Sequence, residues 1–334
     1  MRLDSGLIVM LVLSTCLAAT TATATAAEKK KPTVPQAPVI QHRFAILDNG
    51  AGRLVLVDQV HPELGWSVAV PANARDLQRL GMVTPPPAPK KKPASGTKPK
   101  VKPPAPDPLQ MGEPRILVSH GDGAGEYSIA SGKLLWSVSG QRDVSTARRL
   151  ADGSTILGSS NNGVHLIRVD LKGQVISSVA VDCPGDLRLI RPTPTGHYLL
   201  GLAGPQMIFE VDAAGKKVAE FKLPGKGYIG ERLPNGNLLA ATGQALTVAE
   251  IDPSGKIVHS IGGKDAFPNA RLLWFSSFDR LSNGHLLVAN WCGHGQEGKG
   301  PHLLEFDYDN RLLWQWEDHK LVTMATSVLG LDER

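Results

Sequence analysis

GERLPNGNLLAATGQALTVAEIDPSGKIVHSIG, residues Gly230 to Gly262, reads as one complete supersecondary unit. Leu238-Leu239-Ala240-Ala241 follows the turn Pro234-Asn235-Gly236, Leu246 to Ile251 alternates apolar with small or polar residues, and Asp252-Pro253-Ser254-Gly255 turns the chain into Lys256 to Ile261. Short β-rich runs separated by Asn-Gly and Ser-Gly turns predict four antiparallel strands. Such turns need backbone with φ > 0, which glycine adopts without steric cost, so the turn letters should persist where strand letters drift.

They recur along the chain. The first turn returns as Ala151-Asp152-Gly153, Pro194-Thr195-Gly196 and Ser282-Asn283-Gly284, so that successive copies lie 43, 40 and 48 residues apart. The second returns as Ser131-Gly132-Lys133, Lys172-Gly173-Gln174, Ala214-Gly215-Lys216 and a worn Asp309-Asn310-Arg311. A period near 40 with four strands per unit predicts a β-propeller, in which each sheet buries its faces against its neighbours. The expected fold is all-β, with six four-stranded antiparallel blades. Phe44 to Leu47, Arg53 to Val57 and Gly65 to Val68 supply three strands of blade one. Its missing innermost strand is expected from Thr323 to Leu331, so both termini close the ring and remove an open sheet edge.

The domain map follows. Met1 to Ala27 has an apolar run from Leu7 to Leu17 and ends in small residues, as a cleaved signal peptide does, so the protein is expected to be exported, periplasmic or extracellular. Leu13-Ser14-Thr15-Cys16 is a degraded lipoprotein box with Thr where a small residue is expected, which favours plain export over lipid anchoring at Cys16. Residues 28 to 41 form a Lys/Pro-rich spacer, and residues 42 to 334 the propeller, interrupted by a Pro/Lys-rich insertion at 84 to 110 that is expected to be disordered at a hairpin tip. Nothing later approaches the apolar length of a transmembrane helix. The formal net charge of +5 resides in two segments, 28 to 42 at +2 and 84 to 109 at +5, which leaves −2 for the remainder. The body therefore lacks the basic footprint of a nucleic-acid binder. The insertion is a solvated spacer or a basic arm for an anionic envelope surface.

Ser131 to Trp136 and Asp307 to Trp314 resemble the repeats of quinoprotein (PQQ-like) propellers, where a Gly-Lys turn leads into a Trp-containing outer strand. Leu233-Pro234-Asn235-Gly236-Asn237-Leu238-Leu239 is similar to repeats of arylsulfotransferase-type and NHL-type propellers. The resemblance covers nearly all of 43 to 332 and implies the fold, since propellers share scaffold more readily than chemistry. The quinoprotein dehydrogenases resemble larger eight-bladed rings with adjacent cysteines, and the arylsulfotransferases carry an additional N-terminal domain. This chain departs from both.

Loops from strand two to strand three, and from blade to blade, should emerge on one face, and long glycine-rich loops on a rigid scaffold favour function. The longest is Asn290 to Pro301, NWCGHGQEGKGP. Candidate ligand-binding residues on this face are Trp291, His294, Glu297 and Lys299, with His120 and Asp122 of blade two, Trp274, and His319. The three histidines and Asp122 could bind a metal or make ordinary loop hydrogen bonds; the spacing is not diagnostic, and no metal or cofactor is assigned. Cys183 and Cys292 are a disulfide candidate that would close a loop of more than 100 residues and add about 4 to 5 kcal/mol. Blades four and six are not neighbours, so two free thiols is the competing reading. Arg79, Arg149, Arg232 and Arg280 share one repeat position, one before Leu in the innermost strand, and either attract an anion or pair with acids of adjacent blades.

The expected function is a non-catalytic binding module that recognises a small molecule, glycan or protein on the face of the 290 to 301 loop. A metal- or quinone-dependent oxidoreductase, lyase or hydrolase using the same face is the alternative.

Overall fold

The computed structural model of the chain describes residues 39–81 and 112–332. The signal peptide, nearly all of the 28 to 41 spacer and the whole 84 to 110 insertion lie outside these residues. Blade one contains β1 (Arg43–Asp48), β2 (Arg53–Asp58) and β3 (Trp66–Ala69). Blade two contains β4 (Leu77–Leu80), β5 (Arg115–His120), β6 (Gly123–Ser128) and β7 (Leu134–Val138), and blade three contains β8 (Val144–Arg149), β9 (Thr155–Ser159), β10 (Val164–Val169) and β11 (Val175–Val181). Blade four is β12 (Leu187–Pro192), β13 (Tyr198–Leu202), β14 (Met207–Val211) and β15 (Lys217–Lys222). Blade five is β16 (Gly230–Arg232), β17 (Leu238–Ala241), β18 (Thr247–Ile251) and β19 (Ile257–Gly262), and blade six is β20 (Phe275–Arg280), β21 (Leu286–Asn290), β22 (Leu303–Phe306) and β23 (Leu312–Trp316). A last strand, β24 (Ala325–Gly330), pairs antiparallel with β1, giving blade one the order β24-β1-β2-β3. Six four-stranded antiparallel sheets result, the propeller expected from the repeat. Among the described residues no helix is long and apolar enough to cross a membrane.

The turns form as their chemistry dictates. Gly236 has φ 87° at the first hairpin of blade five, a region that penalises any residue with a Cβ. In the second turns, Asp170, Asp212 and Asp252 each accept two backbone N–H bonds through Oδ1, two and four residues ahead. A short side-chain acceptor thereby holds the hairpin closed.

Alternation places the core between sheets. In β1, Phe44 and Ile46 pack with Leu287, Ala289 and Leu303 of blade six, whereas Ala45 and Leu47 pack with Ile116 and Val118 of blade two. In β17, Leu238 and Ala240 face blade four while Leu239 and Ala241 face blade six. One such cluster fills each of the six blade interfaces, so both faces of a middle strand are buried and no sheet can fold alone. Tryptophans pin the outer strands: Trp66 Nε1 donates to Ile129 O of blade two (2.9 Å) and Trp136 Nε1 to Leu171 O of blade three (2.8 Å). Trp314 and Trp316 meet Phe44 edge-on across the last interface.

Closure is latched at both ends of β24. Asp48, fully buried, accepts bonds from Thr323 N and Oγ1, Met324 N, Ala51 N and Arg53 Nη2. Beyond the other end, His42 contacts Asp332 (2.7 Å) through Nδ1 and Glu305 of blade six (2.8 Å) through Nε2. Burial disfavours the charged imidazole, but the hydrogen bonds and charges of Asp332 and Glu305 outweigh it and raise the His42 pKa from 6.5 to about 9. The folded state therefore holds a proton that the unfolded chain releases earlier. The stabilisation is full below about pH 6.5 and is lost as pH rises through about 9. A shift of that size corresponds to at most about 3 kcal/mol, reduced by screening because Asp332 is 40% exposed. The melting-temperature gap between wild type and His42→Gln should be widest near pH 6 and close towards pH 9.5. A constant gap across that range would contradict the latch.

Candidate functional site

The innermost strands line the axis, and their repeat makes equivalent positions countable. Four residues before the repeat's Arg, or its counterparts Pro192 and Gly330, stand Arg75, Ser145, Arg188, Tyr228, Ser276 and Thr326. Bulges prise several of these out of the ladder. Pairing of β8 with β9 passes from Val144↔Ser159 to Thr146↔Gly158 and skips Ser145. Ser276 is skipped in β20 and Thr326 in β24, and in β12 both Arg188 and Leu189 fall between paired residues. A bulge frees a residue from the regular alternation and re-aims its side chain.

Five of these six, with Asn49, Trp291 and His294, line a cavity of about 220 Å³ at the channel mouth. Trp291 Nε1 donates to Asn49 Oδ1 (3.2 Å), which draws the blade six loop over blade one. Gly293 lies so close beneath the indole that a Cβ there would sit 2.2 Å from Trp291 Cζ2. His294, at φ 56°, meets the same indole edge-on at 4.9 Å. The aromatic wall continues from Trp291 through Trp274 (6.1 Å) to Tyr228 (6.0 Å). The Arg188 guanidinium lies 5.3 Å from the Tyr228 ring centroid and 3.2 Å from Asp186. Burial and the nearby Arg188 hold the Arg75 pKa below the usual arginine value. Arg188 Nε, Thr326 Oγ1 and Ser145 Oγ of the ring, and the neighbouring Trp274 Nε1, are buried without a hydrogen-bond partner among the described residues.

One layer deeper, one residue before the repeat's Arg, stand Gln78, Arg148, Arg191, Glu231, Asp279 and Leu329, around a second cavity of about 190 Å³. Asp76, fully buried, receives Arg148 (2.7 Å), Arg191 (3.1 Å) and the Thr146 hydroxyl (2.5 Å). With Arg79, three guanidiniums stand among Asp76, Asp279 and Glu231, the last of which also holds Arg280, so carboxylates offset most of the positive charge of this layer. Larger hollows lie off the axis, one of about 590 Å³ between blades five and six on the opposite face and one of about 530 Å³ beside β23. Neither is lined by an unsatisfied buried donor. Arg148 Nε in the deeper cavity also lacks a hydrogen-bond partner among the described residues, but only the mouth joins such donors to an aromatic wall.

The residues anticipated from the loops are spread more widely. Trp291 and His294 reach the mouth and Trp274 stands behind them. Glu297 and Lys299 are exposed and bond within their own loop, to Gly295 N (3.3 Å) and Gly295 O (2.8 Å). His120 is buried 2.7 Å from Asp122, and His319 lies against the His302 ring at 4.5 Å. Among the described residues no three His, Cys, Asp or Glu groups form a metal-binding cluster. Of the two readings for Cys183 and Cys292, the structure has the two free thiols and not the bridge. Cys183 packs in the cluster between blades three and four, while Cys292, fully buried in blade six, donates to Thr323 O (3.2 Å) with His302 Nδ1 at 3.6 Å. Burial pushes the Cys292 thiol up, and burial with His319 nearby pulls His302 down to about 4, so the pair is neutral near pH 7.

Of the four repeat arginines, Arg149 pairs with Glu126 of blade two, Arg232 with Glu210 of blade four and Arg280 with Glu231 of blade five. They tie adjacent blades. Arg79 differs: it lines the lower channel cavity and donates to Asp332 O (3.3 Å). The residues missed from sequence alone, Asn49, Arg75, Ser145, Arg188, Tyr228, Ser276 and Thr326, lie in or just before inner strands and in a tight turn; counting back four from the repeat arginines would have found Arg75, Ser145, Tyr228 and Ser276.

No family model matches the chain, and no curated protein matches it in sequence. Among solved structures it is similar to a protein of unknown function from Bacteroides caccae, with 21% identity, a TM-score of 0.68, and coverage of 88% of this chain and 100% of that one. It is also similar to a streptogramin B lyase, with 12% identity, a TM-score of 0.51, and coverage of 83% and 80%. The WD40 propeller domain of Doa1 aligns at 15% identity and a TM-score of 0.45, over 74% of this chain and 85% of that one. At these identities the first two likenesses establish the propeller fold and nothing of the chemistry.

Proposed function

We propose that this protein is an exported, non-catalytic binding module that takes a small molecule into the channel mouth on the face bearing the 290 to 301 loop. Trp291, His294, Tyr228, Arg75 and Arg188 are its contact residues, and Trp274 supports Trp291 from behind. The supporting observation is the pair of buried donors without partners among the described residues, Arg188 Nε and Thr326 Oγ1, that share one repeat position and line an aromatic-walled cavity. Leaving such groups unpaired costs about 1 to 3 kcal/mol each, which a ligand that satisfies them recovers. The volume suits a ligand below drug size. In the same reading, the Lys-rich insertion tethers the module to an anionic envelope surface, and its repeats are of the quinoprotein and NHL type. A nucleophilic role for Cys292 gains no support, because a buried thiol with a raised pKa supplies little thiolate.

Titration of the purified protein with a fragment library, followed by tryptophan fluorescence, tests this. Hits should weaken at least roughly tenfold, about 1.4 kcal/mol, in Trp291→Ala and keep their affinity in Trp136→Phe, an outer-strand control. Hits indifferent to Trp291→Ala and to Tyr228→Ala would place binding elsewhere and remove the reading.

A further inference from the structure

Charge divides the channel into two unlike layers. The deep layer is largely compensated, with Arg79, Arg148 and Arg191 set among Asp76, Asp279 and Glu231, the last shared with Arg280. The mouth carries Arg75 and Arg188, and the carboxylate that pairs with either among the described residues is Asp186, on Arg188, half in solvent at 49% exposure. Arg75 forms no ion pair there, and the two cations disfavour one another. Two like charges held together in a partly buried cavity need an anion, and one acid for two bases leaves a single positive charge unmatched.

The remaining lining narrows the class. Thr326 Oγ1 and Arg188 Nε have no partner among the described residues and are free to donate, whereas Ser276 Oγ already donates to Thr326 O (2.8 Å). A planar two-oxygen acceptor matches the guanidinium fork and the Thr326 hydroxyl together. Tyr228, Trp291 and His294 offer ring edges and faces to an apolar body, and about 220 Å³ leaves room for little more than one ring or a short chain.

We infer that the ligand is a small monocarboxylic acid with a flat apolar body, its carboxylate on Arg75 and Arg188 and its body against Tyr228 and Trp291. This rests on the reading of the mouth as the binding site. The test compares benzoate and phenylacetate with their neutral amides, and with phenyl phosphate and inorganic sulfate, by calorimetry on the full exported chain. The acids should bind at least roughly tenfold tighter than the amides. Arg75→Gln should abolish that preference by weakening the acids far more than the amides, and Arg75→Lys should keep part of it. Thermal melts of each variant report folding, and an unfolded Arg75→Gln is replaced by Arg188→Gln in the same comparison. Amides as tight as acids, with both sensitive to Trp291→Ala, overturn the carboxylate and leave the mouth as the site. Tighter phenyl phosphate or sulfate overturns the monocarboxylate in favour of a more highly charged anion. Acids that bind undisturbed by Arg75→Gln, Arg188→Gln and Trp291→Ala overturn both readings, and no binding by any acid overturns the class while the fragment screen judges the mouth separately.

Discussion

A chain ended before Thr323 should show no cooperative melt. The truncation removes β24, and with it Val328, Leu329 and Leu331, each less than 7% exposed. At about 1.5 to 3 kcal/mol per buried aliphatic side chain, these three alone represent about 5 to 9 kcal/mol, comparable with the whole stability of a typical domain. More follows. Phe44 and Ile46 of β1, both fully buried, lose their neighbour in the blade six interface. Asp48 loses the two backbone N–H groups and the hydroxyl that hold its charge in the interior. Inner strands are also stitched across this seam: Ser327 Oγ donates to Arg75 O, Val328 N donates to Ser277 Oγ, and Gly330 N donates to Asp279 Oδ2. Circular dichroism during heating would decide it. A truncated protein that keeps a single sharp transition within a few degrees of wild type would mean that the ring does not depend on this strand.

The fold was legible because its signal is carried by residues with few substitutes. Gly153, Gly196, Gly236 and Gly284 all take φ between 81° and 87°, a backbone state that sequence drift cannot easily refill, and so the period survives. The closing strand was legible for a related reason: blade one lacked an inner strand and only one terminal segment had the pattern to supply it. The mouth was harder to read. Arg75, Ser145, Arg188, Tyr228, Ser276 and Thr326 share a position but not one residue type, so no repeat letter marks them, and bulges break the strand alternation at Ser145, Arg188, Ser276 and Thr326. Loop composition pointed instead to Glu297 and Lys299, whose polarity is absorbed by Gly295. The choice between a Cys183–Cys292 bridge and two free thiols stayed open in the sequence because shared facing does not set distance: Cys183 sits between blades three and four and Cys292 is buried in blade six.

Asp76→Asn should destabilise the protein by about 3 to 5 kcal/mol, the range for removing one partner of a buried ion pair. Asp76 begins blade two, yet its carboxylate binds Arg148 of blade three and Arg191 of blade four, and its backbone N–H donates to Ser119 Oγ. Burial and the neighbouring Arg191 already weigh against the Arg148 charge and lower its pKa. Asparagine keeps the shape and leaves both cations without their shared counter-charge. The Thr146 hydroxyl, which donates to Asp76 and accepts from Ile190 N, would lose a charge-assisted bond as well. Denaturant unfolding of Asp76→Asn, Arg148→Met and the double variant separates charge from packing. If the harm lies in a stranded guanidinium, the double variant should be more stable than Asp76→Asn alone, with a coupling of about 1 to 3 kcal/mol. Additive losses, or a single variant within about 1 kcal/mol of wild type, would show that the deep layer does not depend on Asp76 for its charge balance. The mouth above it would then have no fixed floor of compensated charge, and its own unmatched positive charge would have to be explained together with the charges below.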